Sequence, residues 1–265
     1  MDELGLSLKY RIHLRLHNAA SRFGIDGLKP VKVYREKPAF VVETTGRKIH
    51  IASALVWRVY RRGWQNRLER ISREFGLGDP FVVGPRDTVL DVGANVGDFS
   101  LAAAAMGAEV HSFDGDPKVV ACLERNIVGV PAIQAHRAIL WKEPGEVTFY
   151  SAPDRSDSSL FRPPGEAVTS FTAEATTLDV LAQELGLGEI ALLKMDAEGA
   201  EPEVLEGGRE LLRRTRNVAI DTGAERLGET TNEACEALLE SMGFTLLDPS
   251  QRRRKITMAT RDSRP

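Results

Sequence analysis

Acidic side chains recur in this sequence wherever an open α/β sheet would deliver them to one edge. Asp91, Asp114, Asp196 and Asp221 each stand at or near the end of an apolar or β-branched run. A carboxylate in such a place can face a cation, accept hydrogen bonds from sugar hydroxyls, or take a proton from a reacting group. The first lies in Thr88-Val89-Leu90-Asp91-Val92-Gly93-Ala94-Asn95-Val96-Gly97-Asp98-Phe99-Ser100, which reads as strand, glycine turn and helix start. Gly93 permits the sharp turn, and Gly97 lets the following helix pack close to the sheet.

The loop departs from the dinucleotide fingerprint, whose second glycine lets the backbone touch a pyrophosphate. Asn95 occupies that position, and Asp91 would repel a phosphate. A phosphate-free cofactor with cationic groups suits Asp91, Gly93, Ala94, Asn95 and Gly97 better, and S-adenosylmethionine (SAM) fits that description. Asp114 follows Asp91 by 23 residues in Phe113-Asp114-Gly115-Asp116-Pro117, where an acid can accept both ribose hydroxyls of a nucleoside. Asp116 reads as the cap of the helix opened by Pro117. Arg137, Ala138 and Ile139, after the third strand, are placed to meet the adenine.

The second cluster is Leu193-Lys194-Met195-Asp196-Ala197-Glu198-Gly199-Ala200-Glu201. Strand Ile190–Met195 carries Asp196 to the ligand edge, where an unused charge would cost desolvation. Glu201 opens a helix and reads as a capping acid. Asp196, with Glu198, Asp221 and the adjoining Lys194, forms the catalytic set. These acids either orient and deprotonate a hydroxyl, or hold a Mg²⁺ ion that lowers its pKa.

The elements that must position these residues alternate after Pro85 as strand and helix, the pattern of a doubly wound parallel sheet. Strands are predicted at Thr88–Val92, Glu109–Phe113, Ala132–His136, Ile190–Met195 and Asn217–Asp221. Helices are predicted at Phe99–Met106, Pro117–Val128, Leu178–Leu185, Glu201–Leu212 (interrupted at Gly207-Gly208) and Asn232–Met242. A hairpin is expected around Pro144-Gly145, and a loop over the site from Ser151 to Ala173. Phe244–Leu247 and Lys255–Thr260, joined through Asp248-Pro249-Ser250, form a closing antiparallel pair.

Ahead of this core, residues 1–79 form a small basic α+β extension, with residues 80–265 as the catalytic domain. Leu4 to Phe23 alternates with strand period but also suits a helix. Short strands are expected at Val31–Tyr34, Phe40–Glu43 and Lys48–Ile51. Ser53 to Phe75 reads as one helix with Trp57, Tyr60, Trp64, Leu68, Ile71 and Phe75 on its apolar stripe. Arg58, Arg61, Arg62, Arg67, Arg70 and Arg73 cover its other faces, as a solvated surface or as a lid over the site.

The resemblance carried by Val89–Gly97, Phe113-Asp114, Thr177-Leu178-Asp179 and the Lys-x-Asp-x-Glu-Gly-x-Glu run at 194–201, continued by Leu205-Glu206-Gly207-Gly208, is to the FkbM family of SAM-dependent methyltransferases. Ser158-Ser159-Leu160 is similar to a short element in that family's middle segment. The resemblance covers about residues 80 to 260 and departs at Asp114 and Asp221, where glutamate is more usual. It implies a Rossmann-like class I methyltransferase sheet, mostly parallel, with one antiparallel strand near its edge. It also implies O-methylation of a small hydroxylated acceptor, a secondary metabolite or a sugar.

Bulk properties fit a globular chain of 265 residues without a transmembrane segment or signal-peptide core. Cys122 and Cys235 fall outside any metal-ligand spacing, as in a reducing, cytoplasmic setting. Residues 1–75 hold 16 Lys and Arg against 7 Asp and Glu, whereas the remainder is acidic at 19 against 31. The extension therefore faces an anionic substrate, membrane or nucleic acid, or is simply attracted to its own core. An RNA-directed methyltransferase is the nearest rival. The chain lacks the Asp/Asn-Pro-Pro-aromatic motif of base-amine methylation, and neither cysteine sits at a strand end. A non-catalytic SAM- or nucleoside-binding module and an NAD-dependent dehydrogenase are the more distant rivals. The apolar stripe of the extension could pack on its own core or on a second subunit of a homo-oligomer.

Overall fold

A computed structural model describes residues 8–152, 158–162, 168–226, 228–247 and 255–261. The chain opens with helix α1 (Leu8–Arg22), so the ambiguous first segment is helical over its described part. Tyr10 and Leu14 pack against the core, while Leu8, Ile12 and Leu16 are exposed. An antiparallel meander follows, β1 (Lys32–Glu36), β2 (Ala39–Thr44) and β3 (Arg47–Ile51).

The helix expected over Ser53–Phe75 is two pieces. A 3₁₀ stretch, Ala54–Tyr60, is capped by Ser53, and α2 (Trp64–Glu74) starts after Gly63. Gly63 has φ 92°, and a Cβ there would meet Thr45 Cγ2 at 2.8 Å. The apolar spacing survives the break because Tyr60 and Trp64 still stack, with ring centroids 6.2 Å apart.

The central sheet contains β4 (Thr88–Val92), β5 (Glu109–Asp114), β6 (Ile133–Arg137), β10 (Ile190–Met195), β11 (Thr215–Asp221), β12 (Thr245–Leu246) and β13 (Ile256–Thr260), in the order β12-β13-β11-β10-β4-β5-β6. β13 runs antiparallel to both its neighbours, and β11, β10, β4, β5 and β6 are mutually parallel. This is the mostly parallel α/β sheet with one antiparallel strand near its edge. β4 and β10 lie side by side although far apart in sequence, so strand order reverses between them. In open α/β sheets the crevice at such a switch point is the ligand site.

Helices α3 (Asp98–Ala105), α4 (Pro117–Asn126), α5 (Leu178–Glu184), α6 (Glu201–Glu206), α7 (Arg209–Leu212) and α8 (Asn232–Ser241) accompany the sheet. The break between α6 and α7 falls at Gly207-Gly208; a Cβ on Gly207 would lie 2.3 Å from the Trp141 carbonyl. The hairpin near Pro144 is arranged differently from expectation. β8 (Gly145–Ser151) pairs antiparallel with β9 (Thr169–Thr176), to which the two-residue β7 (Ile139–Leu140) adds in parallel. Part of the stretch assigned to a loop is thus strand, and residues 153–157 and 163–167 lie outside the described residues, as does the Asp248-Pro249-Ser250 turn.

Two large apolar clusters line the faces of the sheet. One joins Ile49, Trp57, Tyr60 and Phe75 of the extension to Val89, Phe99 and Leu192 of the sheet layer. The other holds Leu90, Val92, Leu193, Ile220 and Leu239. Asn126 fastens the extension further: its amide donates to the carbonyls of His50 and Val96, both at 2.9 Å. Among the described residues no helix is long and apolar enough to cross a membrane.

Candidate functional site

A cleft of about 1140 Å³ opens at the carboxyl ends of β4 and β10. Its floor is the glycine loop. Gly93 has φ 68°, and a Cβ on it would stand 1.8 Å from the Asp196 carbonyl oxygen, so the ends of β4 and β10 touch backbone to backbone. Gly97, at φ 92°, leaves no room for a Cβ against Leu123, which would lie at 2.6 Å. Asn95 also adopts a positive φ, 51°, which an Asn tolerates better than most residues. Its amide donates to Asp114 Oδ2 at 3.0 Å, and the Asp116 amide donates to Oδ1 at 2.9 Å. Each Asp114 oxygen keeps acceptor capacity toward the cleft. Burial pushes this carboxyl up to about 7, although the two amides and Lys194 favour its charged form.

Asp91 takes a different place from the one its strand-end position suggested. It is fully buried beneath the loop, accepting from Ser100 Oγ at 2.5 Å and pairing with Lys194 Nζ at 3.0 Å. Lys194 and Asp91 are register partners on β10 and β4, which brings the two charges together across the strand pair. Lys194 also donates to the carbonyls of Gly93 (2.8 Å) and Val92 (3.2 Å), so its donors are committed to holding the loop. Burial acts against the ammonium, yet Asp91 and then Asp196 more than offset it and keep its pKa above the ordinary lysine value.

On the other side of the switch point, Asp196, Ala197 and Glu198 line the cleft. Asp196 Oδ1 is buried without a hydrogen-bond partner among the described residues. Glu198 holds φ 51° in a turn secured from both sides. Ser159 Oγ donates to the Glu198 carbonyl at 2.7 Å, and Glu201 Oε1 accepts the amides of Ala197 and Gly199 at 3.0 and 2.9 Å. Glu201 is 1% exposed and bound on its other oxygen by Thr231, so it braces the turn as well as opening α6. Burial raises its pKa to about 7. Asp196, Glu198 and Glu225 each offer a carboxylate oxygen within 4.8 Å of the others.

Asp116 caps α4 through the Lys118 amide, as expected, and also accepts from Ser151 and Ser158 at 2.5 and 2.9 Å. Ser158 and Ser159 therefore pin the middle segment to both halves of the site. Gly115, Ala138 and Ile139 line the cleft, with Phe149 so close to Gly115 that a Cβ there would lie 2.8 Å from the ring. Arg137 is exposed, its guanidinium 6.0 Å from the Phe171 ring centre, away from that lining. Asp221 is likewise off the lining: it is 1% exposed, and its Oδ1 accepts the Gly223 amide at 3.1 Å.

The second wall comes from the extension. Tyr60 donates to Asp98 Oδ1 at 3.0 Å and Arg67 Nε to Oδ2 at 2.5 Å, joining α2 to the first residue of α3. Burial, and then Asp98, holds the Tyr60 hydroxyl well above its ordinary pKa. Lys194 Nζ lies 5.1 Å from the Phe75 ring centre, a further link from α2 to the loop. Asp98 drew no reading of its own from the sequence, where nothing local announced partners so far away along the chain.

These features fit a nucleoside methyl donor: a ribose-competent acid with its oxygens oriented by amides, an apolar slot at Gly115 and Ile139, and acids where a cationic sulfonium would stand. The Methyltransferase FkbM domain family matches residues 91–246, and the chain belongs to that family. The fold, together with the family match, defines a SAM-dependent methyltransferase of the Rossmann-like class. The 2-O-methyltransferase NoeI of Sinorhizobium fredii (strain NBRC 101917 / NGR234) is 25% identical over 162 residues, covering 55% of this chain and 67% of that protein. The 31-O-demethyl-FK506 methyltransferase FkbM of Streptomyces tacrolimicus is 32% identical over 203 residues, covering 62% and 74%. Among solved structures, magnesium protoporphyrin IX methyltransferase (ChlM) from Synechocystis PCC 6803 with bound SAM is a remote likeness. It is 14% identical with a TM-score of 0.46, over 97% of this chain and 99% of that one.

Proposed function

We propose that this protein transfers a methyl group to a hydroxyl of a small acceptor, with Asp196 as the group that orients the hydroxyl and takes its proton. The names of the two relatives, both O-methyltransferases, support the reaction type. The observation that carries the assignment to Asp196 is its cleft-lining position together with a buried carboxylate oxygen that no described residue satisfies. A hydroxyl donating to that oxygen would remove the cost of leaving it unpaired.

SAM, when bound, supplies the electrophilic methyl carbon. The chain's own residues do the rest by positioning and exclusion of water. Asp114 accepts the ribose hydroxyls, while Gly93 and Gly115 let the loop close against Asp196 and Phe149 and so set the cleft's shape. Lys194 acts as a positioning residue, because its ammonium is spent on Asp91 and the loop carbonyls. Asp91 serves the same supporting purpose from beneath. The 3₁₀ stretch and α2 supply the facing wall. The carboxylates of Asp196, Glu198 and Glu225 could instead hold a Mg²⁺ ion, which would lower the hydroxyl's pKa. Activity that survives EDTA would remove that version.

The test is Asp196→Asn. It keeps the shape but removes the proton acceptor, so kcat is expected to fall by about 10²–10⁴. Affinity for S-adenosylhomocysteine, measured by calorimetry, should stay within a few-fold. Unchanged turnover in this variant would overturn the role given to Asp196.

A further inference from the structure

We propose that the acceptor carries an oxyanion group, a phosphate or a carboxylate, held by the arginine wall of the cleft while its hydroxyl meets Asp196; this rests on the methyltransferase reading above. Arg58, Arg62, Arg70 and Arg73 line the same cleft as Asp114, Asp196 and Glu198. The signs are unevenly divided, with Glu74 on the arginine side and Lys194, paired with Asp91, on the acid side. The acids belong to the sheet edge, and the arginines to the 3₁₀ stretch, α2 and the turn between them.

Arg67, a fifth arginine on that wall, is consumed by its 2.5 Å bond to Asp98. Among the described residues the side chains of the other four have no hydrogen bond or ion pair, and Glu74 is the acid that shares their wall. The wall thus holds an excess of positive charge. Burial, and then the charge of Arg67, lowers the Arg70 pKa, with Glu74 and Asp98 only partly opposing. Arg67 and Arg61 are the cations that disfavour the Arg70 guanidinium, and an entering oxyanion would offset them while taking bidentate hydrogen bonds. The methyl donor does not account for them, since it offers one carboxylate and otherwise positive charge. Its cationic end is matched by the acids on the opposite side. The four side chains are exposed along that wall, where water solvates them and an oxyanion would take the place of that water.

The experiment uses the full chain loaded with S-adenosylhomocysteine, titrated by calorimetry with inorganic pyrophosphate and, separately, with citrate. Saturable binding of at least one is expected, and which one binds tells phosphate from carboxylate. In Arg62→Gln/Arg70→Gln, the anion's affinity should drop about tenfold or more, as for loss of charge-assisted bonds. Affinity for S-adenosylhomocysteine should hold within about twofold in the same variant, on the ground that separated sites act independently. No saturable binding of either anion, or binding that ignores the double substitution, overturns the proposal. A parallel fall in S-adenosylhomocysteine affinity would assign the arginines to the donor's carboxylate and overturn it too. So would a single-stranded RNA that competes with both anions, binds far more tightly and weakens steeply with salt through the same arginines. If the unaltered protein fails to bind S-adenosylhomocysteine at all, the methyltransferase reading fails first, and the two failures are told apart.

Discussion

The cleft has two walls, and they are held in place by different physics. The sheet-edge wall is built from backbone. Gly93 and Asp196 meet at main-chain distance, and the Asp114 carboxylate is aimed by two amides. The wall from the extension is built from side chains: an apolar stripe underneath, a Tyr60–Asp98–Arg67 bridge, and arginines left to face the cleft. Backbone placement is unforgiving, because a single added carbon collides with something that cannot move. Side-chain placement is graded, because arginines can re-aim. The first kind of wall suits a donor whose shape is fixed, and the second suits an acceptor whose identity can vary within one charge type.

Gly93→Ala should break the first wall with the largest effect. It puts a Cβ at 1.8 Å from the Asp196 oxygen at a positive φ. A loss of about 3 kcal/mol or more in denaturant-derived stability is expected, as for core overpacking joined to backbone strain, with loss of S-adenosylhomocysteine binding. Retention of both would mean that the two strands are free to part.

Arg67→Gln tests the bridge between the walls. Asp98 is 5% exposed at its side chain and would lose its cation, leaving Tyr60 as its partner. Removing one member of a buried pair costs on the order of 3–5 kcal/mol, and chemical denaturation should show a loss of that size. A change near zero would mean that the extension docks through its apolar stripe alone.

The smallest effect sharpens the donor side. Because burial raises Asp114 to about 7 in the ligand-free protein, its ionised form grows as pH climbs through that value. An ionised carboxylate is the better acceptor for ribose hydroxyls, so donor affinity should rise through about pH 7 and then level off. The stability of the free protein should run the other way. A raised carboxyl pKa contributes stability that is full below the ordinary carboxylate range and lost toward about 7, and Glu201, also near 7, adds in the same direction. Calorimetry at several pH values checks the first half, and Asp114→Asn should flatten the curve.

Much of the sheet-edge wall could be read directly from the chain. The apolar runs of β4 and β10, the glycines of the turn and the acids at 114 and 196 declare themselves by local spacing. β9 was missed because it is largely exposed and polar, with its pairing partner β8 across a long connection. The break at Gly63 was hidden by an apolar rhythm that runs through it. Asp91 and Asp221 read as ligand-facing acids, since strand position alone does not say which way a side chain turns.

What the sequence determined by itself is what depends on neighbours along the chain: periodicity, turn chemistry, caps and the alternation of strand and helix after Pro85. Only the tertiary structure decided that Lys194 neutralises Asp91, that Asp98 ties α2 to α3, and that arginines at 58, 62, 70 and 73 look into the cleft. An amphipathic stripe states that one face of a helix is buried, but the direction in which the opposite, charged face points is set by long-range packing. The charge that faces the acids of the sheet was therefore visible as composition and acquired a place only when α2 docked on the glycine loop.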